Sequence, residues 1–386
     1  MTKCPVTPRS RARRATRGVS LIELMTAMTI GLMILLGLTS VFVNSSNANR
    51  EMKNNAEQIE NGRYAIEFLA QDIRHAGYYG ELSTLPAVPA AAPDPCAAPT
   101  AGAVSATVNS ALALPVQYVS AASIPTGCVA LLTAANLQPG SDIMVVRRAD
   151  TTMLPVTSAA SATVTGGTVY LQTTADTAEV QFGVAGTIDG TKNATGGATA
   201  ATMVRRDFSV AATGTPPQFP QIAAAIRKYR THVYFVAPCS VPASGNLCTG
   251  SSDDQGRPIP TLKRLEMGSN GTFSIVPIVE GIQAIRFEYG VDNLPAAPAD
   301  PGTGLIGDGI PDVYSNAPSV VDMGNAVAAR IYVLARNTAP TSGYTDDKTY
   351  TLGTFTTTAA NDSYKRHVYG AEVRIVNQSG RREIPR

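Results

Sequence analysis

The sequence predicts an α+β protein: one long N-terminal helix, apolar in its first half and amphipathic in its second, packed on a mostly antiparallel β head. Three observations carry this. Residues 19–43 form an apolar run with a single charged side chain. Apolar or small side chains then recur three, four or seven residues apart from Met52 to Ala76, the spacing of one helical face. From residue 142 onward, short runs alternate apolar with polar, the period of a half-buried strand.

The chain has 386 residues, 44% of them apolar and 16% charged, as expected of a folded protein with a sizeable core. Its net charge of +2 is unevenly placed. Residues 1–18 hold Lys3, Arg9, Arg11, Arg13, Arg14 and Arg17 and no acid; without these six, 25 Lys+Arg face 29 Asp+Glu. The remainder is therefore net acidic and lacks the basic surplus of a nucleic-acid binder.

Residues 19–43 read VSLIELMTAMTIGLMILLGLTSVFV, long enough to cross a bilayer as a helix. The basic leader is expected to stay cytoplasmic, which places the C-terminal bulk on the far side of the membrane. A conventional secretory signal has a shorter apolar core followed by a small-residue cleavage site. Here the break in composition precedes the apolar run, at Arg17-Gly18-Val19. Glu23 is the single acid within the run. A carboxylate inside a membrane segment is costly and points to function. If the chain is cut after Gly18, Val19 gains an α-amino group one helical turn from that carboxylate.

The stretch R-G-V-S-L-I-E-L-M resembles the processing signal of type IV prepilins and pseudopilins: a glycine, a cut, a hydrophobic residue, and glutamate at the fifth mature position. The resemblance implies that a prepilin peptidase cuts Gly18–Val19 and N-methylates Val19. It also implies that Glu23 pairs with the N-terminus of a neighbouring subunit and sets axial register in a filament. An unpaired carboxylate among apolar helices is heavily penalised and a paired one much less so.

The pattern predicts one helix over about residues 20–76, with Met52, Ala56, Ile59, Ile66, Leu69, Ile73 and Ala76 on its buried face and Gly77 as C-cap. An Asn/Ser cluster at 44–49 favours a hinge, the competing arrangement. The segment NGRYAIEFLAQDIRHAGYYG resembles the helix end of PilW-type minor pilins, carried by Ala65, Leu69, Asp72, Ile73, Arg74, Ala76, Gly77, Tyr78 and Gly80. The terminal stretches AVAARIYVLARN and RHVYGAEVRIVN are similar to the same family's C-terminal region. The implied plan is a pilin-like lollipop: leader 1–18, transmembrane and filament-core helix 19–43, amphipathic continuation 44–82, and a β-rich head over 83–386.

The head is expected to begin with an irregular Ala/Pro/Ser-rich stretch over 83–130. Strands are expected at Asp142–Arg148, Gly167–Gln172, Met203–Phe208, His232–Ala237, Thr261–Met267, Phe273–Val279, Ile282–Tyr289, Ala328–Arg336 and Val368–Val376. Residues 186–202, rich in Gly, Ala and Thr, are expected to form a surface loop. Of five cysteines, Cys4 lies in the leader. The remaining four suggest two disulfides in an exported chain. Three pairings are possible, and Cys96–Cys128 with Cys239–Cys248 is preferred because each closes a local loop.

No catalytic constellation emerges, so a structural subunit is expected rather than an enzyme. Gly302, Gly304 and Gly307 match G-x-G-x-x-G, but flanking prolines remove the strand and helix that a dinucleotide site requires. His75, His232 and His367 lack zinc-ligand spacing. Asp292, Asp300, Asp308 and Asp312 cluster around GDGIPD, and oxygen-rich glycine-kinked loops can bind Ca²⁺. Calcium through Asp300, Asp308 and Asp312 is thus the one cofactor candidate. Arg147-Arg148, Arg205-Arg206, Lys365-Arg366-His367 and Arg381-Arg382 are short basic clusters, read as solvated charge at strand ends rather than a DNA surface.

The family resemblance implies a minor pilin that helps initiate pilus assembly. A type II secretion minor pseudopilin shares signal and plan, and a pilus-tip adhesin or DNA-uptake subunit is the alternative of another class. Implied partners are the prepilin peptidase, the major and other minor pilins and the inner-membrane assembly platform. The implied location is the bacterial inner membrane, single-pass with a periplasmic head, and later the pilus tip.

Overall fold

The computed structural model describes residues 18–97, 110–154, 161–164, 168–175, 178–182, 186–189, 204–206, 221–268, 272–294 and 307–383. Residues 1–17 of the leader, with Cys4, lie outside them, as do Asp300 and Gly302 and Gly304 of the glycine motif. The chain divides into two compact units, Met1–Lys53 and Asn54–Arg386.

Helix α1 spans Leu21–His75 without a break at the Asn/Ser cluster. It ends where Gly77 takes φ +73°, a conformation that costs glycine nothing. The Gly77 amide, past the last turn, donates to the Arg147 carbonyl at 2.9 Å.

Within the second unit the buried face of α1 is Asn54, Gln58, Gly62, Ala65, Leu69, Ala70, Asp72 and Ile73. Ala76 follows, also buried. Leu69, Ile73 and Ala76 sit as the periodicity predicted, and Ile66 is half-buried. Met52, Ala56 and Ile59 are exposed, which corrects the first part of the expected face. The row that replaces them is polar or has no side chain. Gln58 Nε2 donates to the carbonyls of Ala335 (3.0 Å) and Lys365 (2.8 Å). Gly62 lies directly against the Tyr369 ring.

In chain order the strands are β1 (Val116–Val119), β2 (Ile143–Leu154), β3 (Ser161–Val164), β4 (Val169–Thr173), β5 (Ala178–Phe182), β6 (Gly186–Asp189), β7 (Val204–Arg206), β8 (Gln221–Ala223) and β9 (Ile226–Ala237). They continue as β10 (Thr261–Met267), β11 (Phe273–Glu280), β12 (Ile282–Val291), β13 (Val313–Ser315), β14 (Ala326–Arg336), β15 (Thr349–Leu352), β16 (Phe355–Thr358) and β17 (Arg366–Arg374). Short helices α2 (Val320–Gly324) and α3 (Val376–Arg382) complete the described fold.

Among the described residues, β1-β2-β9-β10-β11 with β4 and β5 make a seven-stranded sheet, and β13-β12-β14-β17 a four-stranded one. Every described pairing is antiparallel. The end of α1 belongs to one core with both sheets: Leu69 and Ile73 cluster with Met144, Val146 and Tyr234 from the first and Phe287, Ile331 and Val333 from the second. Burial of such apolar surface is the main favourable term holding these layers together.

The structure corrects several expected elements. The stretch 83–130 contains β1, and the expected loop 186–202 begins with β6. Strands β3, β5, β8, β13, β15 and β16 fall outside the expected runs, each being only three to five residues long. The last strand stops at Arg374 rather than Val376, and the chain turns into α3. Cys96 is bonded to Cys128 and Cys239 to Cys248.

Candidate functional site

Gly18, Val19 and every residue on to Arg50 are exposed. The apolar first half of α1 is long and apolar enough to cross a membrane, and none of that segment is buried. At its start, Ser20 is the residue before the helix and Glu23 the third within it. The Ser20 amide donates to Glu23 Oε2 at 3.0 Å, and the Leu24 amide to the Ser20 carbonyl at 3.0 Å. This is the glutamate half of a capping box, satisfying a donor that the helix leaves orphaned. The signature S-x-x-E at 20–23 carries this role in the sequence, beside the pairing role expected of Glu23.

Asp72, inside the D-I-R segment, is a buried carboxylate with three side-chain donors from two strands. Its Oδ1 accepts from Arg148 Nε of β2 at 2.7 Å. Its Oδ2 accepts from His232 Nδ1 at 2.7 Å and the Tyr234 hydroxyl at 2.8 Å, both on β9. Burial alone would raise the carboxyl. The His232 hydrogen bond and the charges of His232 and Arg148 outweigh it and hold Asp72 well below the usual carboxylate range. A cleft of about 280 Å³ opens beside it, lined by Phe68, His75, Arg148, Tyr234 and Arg264 among others. The donors surrounding Asp72 make this a clamp between helix and sheet.

In three of the four basic clusters arginines turn inward, which corrects their reading as solvated charge; His367 is exposed, and the side chains of Arg205 and Arg206 lie outside the described ones. Arg147 is fully buried. Arg148 meets Asp72, Arg366 meets Asp346 and Asp362, and Arg382 meets Asp292. Arg381 donates to the carbonyls of Gly77, Leu82 and Asn377, tying α3 to the end of α1. Buried cations persist where such partners exist.

Around GDGIPD, Asp292 accepts from Gly309 N and Arg382 Nε. Asp308 accepts from Ile310 N and Asp312 from Asn293 N. Among the described residues, the groups close enough to share an ion are Asp94 with Cys96 and Cys128, and Asp253 with Cys239 and Cys248. Both pairs of sulfurs are in disulfides. Asp308 and Asp312 are not among these groups, and Asp300, the third member of the calcium candidate, lies outside the described residues.

Residues 249–377 match the family model of the type IV pilus-assembly protein W, and residues 13–39 match the prokaryotic N-terminal methylation motif. The chain matches a PilW-type pilin with a prepilin signal. The PilW match spans β10 through β17 and the start of α3, and therefore the whole four-stranded sheet. The methylation motif spans Gly18, Val19 and Glu23. The D-I-R segment lies between the two matches. No curated protein and no solved structure matches the chain.

Proposed function

We propose that this pilus-related pilin is a minor subunit of a type IV pilus that helps to initiate assembly. In this reading the prepilin peptidase cuts the precursor between Gly18 and Val19 and methylates the new Val19 amine. The helix anchors the subunit in the inner membrane with the head in the periplasm. Glu23 then pairs with the N-terminus of a neighbouring pilin as the subunit enters the filament, near its tip. The observation that carries this is the methylation motif over residues 13–39, placed on an exposed apolar helix with a single acid near its start.

The pairing is compatible with the cap. A carboxylate offers about four lone-pair sites, so Glu23 can keep the Ser20 amide and still accept from an amine. The match to the pilus-assembly family favours a pilus over a secretion pseudopilus. Partners in this scheme are the peptidase, the major and other minor pilins and the assembly platform.

The mass of the mature N-terminus tests the reading. An N-methylated Val19 is expected. A chain that still begins at Met1 in cells with an active prepilin peptidase would overturn it.

A further inference from the structure

The terminal strands of the two larger sheets differ in how well they are closed. Among the described residues, β1, β5 and β13 are terminal strands of three to five residues. The longer β11 carries Pro277 and a register shift against β10. Short edges, proline and irregular pairing keep a sheet from taking on another strand. β17 has none of them. It runs nine residues, Arg366–Arg374, contains no proline, and pairs with β14 at every position without a shift. Its charges are engaged within the chain: Arg366 by Asp346 and Asp362, Glu372 by Arg330, and Arg374 by Glu383.

The direction of its free backbone groups follows from the pairing. At the two ends of the β14–β17 ladder, the Asn337 amide donates to the Lys365 carbonyl at 3.0 Å and the Ile375 amide to the Val327 carbonyl at 2.8 Å. In an antiparallel pair the bonded residues alternate along the strand. Tyr369, Ala371 and Val373 therefore bond to β14, and the N–H and C=O of Val368, Gly370 and Glu372 point away from it. Among the described residues, no hydrogen bond reaches those outward backbone groups. Gly370 and Glu372 are exposed.

One wall of this open edge is apolar. Phe68 of α1 turns to the first sheet, where its ring meets Tyr234 and Arg264. Ile59 and Ile66, three residues before and four after Gly62, share the opposite flank, on the side of β17. Gly62 itself lies against Tyr369. Ile59 is 49% exposed and Ile66 half-buried. On the other face of β17 the exposed side chains, Glu372 and Arg374, are polar. An added strand would meet an apolar flank on one face and solvent on the other, which suits an alternating apolar and polar sequence.

We propose that β17 accepts an extended segment of a different pilin chain, apolar at alternate positions, which joins the four-stranded sheet through backbone hydrogen bonds. A second copy of this chain fits the edge poorly. Antiparallel pairing of two β17 strands about a two-fold axis would turn the second α1, one continuous helix Leu21–His75, the opposite way. The stems of the two copies could not then enter one membrane from the same side. Parallel pairing would set the polar face of β17, with Glu372 and Arg374, beside Ile59 and Ile66. The partner's class rests on the pilin reading; the open edge does not.

The test is made in cells that hold the full chain and its native partners. A photo-cross-linking p-benzoylphenylalanine replaces the exposed His367, and the cross-linked peptide is sequenced by mass spectrometry. The expected product is one alternating segment of a different chain. Gly370→Pro removes an outward N–H and no bond to β14. It is expected to keep Tm within a few degrees of wild type and to lose the cross-link. Gly370→Ala keeps that N–H and is expected to retain it. Should the proline variant not fold, Ile59→Glu puts a charge on the apolar flank and is expected to lose most of the cross-link. The proposal is overturned by a cross-link to β17 of a second copy, by no cross-link, or by a yield unchanged in folded Gly370→Pro. An unchanged yield in Ile59→Glu overturns it where the proline variant is unfolded. An unmethylated Val19 with the cross-link intact would sink the pilin reading alone.

Discussion

The Ser20 amide and the Glu23 carboxylate lie 3.0 Å apart, closing the first turn of α1. Glu23 therefore has a local partner in the single chain, before any neighbouring subunit arrives. Its negative charge near a helix N-terminus also complements the helix dipole. Two roles fall on one side chain, and they depend on different properties: the cap needs an acceptor oxygen, the proposed pairing needs a charge.

Glu23→Gln separates those roles. Glutamine keeps an oxygen that can serve the capping box and loses the charge. Expected are normal cleavage at Gly18–Val19, read by mass, and a clear loss of pili, counted by microscopy. Glu23→Ala is expected to lose pili equally. Wild-type piliation with Gln and not with Ala would show that capping alone matters.

Asp72→Asn breaks the clamp between α1, β2 and β9. Removing one partner of a buried ion pair typically costs about 3–5 kcal/mol, to be read as a drop in denaturation midpoint. The same carboxyl sets an acid limit. It is held below its unfolded value of about 3.9, so its contribution is complete above that pH and fades as pH falls toward the folded value. Wild-type stability should decline below about pH 4 more steeply than that of Asp72→Asn. Parallel acid curves would exclude Asp72 as the cause.

Gly62→Ala tests the contact between helix and β17. A Cβ at this position would overlap the Tyr369 ring. Although alanine is the better helix former, a net loss of about 1–3 kcal/mol is expected from overpacking. Trimming the ring should restore part of it, so Gly62→Ala with Tyr369→Leu should show strong coupling in a double-mutant cycle. Additive effects would mean that the two sites do not meet.

The two disulfides close loops of different length, with sequence separations of 32 and 9 residues. Chain entropy predicts that losing Cys96–Cys128 costs about 1 kcal/mol more than losing Cys239–Cys248, from totals of about 2–5 kcal/mol. Paired Cys→Ser variants compared by chemical unfolding measure the difference. The reverse order would show that native packing around residues 239–248 outweighs loop closure.

The helix was legible because its signal is redundant. Leu69, Ile73 and Ala76 report the same face, and Gly77 marks the end. Its polar continuation was not legible. Gln58 is buried because two strand carbonyls need a donor, and Gly62 because a ring from 307 residues further on needs room. Neither need is written near those residues.

The sequence by itself determined the apolar stem with Glu23, the end of the helix at Gly77 and the longer strands. All of these are local patterns of charge, hydropathy and spacing, which a chain carries whatever it folds against. Only the tertiary structure decided where the arginines of the head point. Arg147 and Arg148 are adjacent in sequence, and alternation along β2 sends one into a cavity and the other to Asp72. The partner of Arg148 is set by what the fold brings across to it, 76 residues away in sequence.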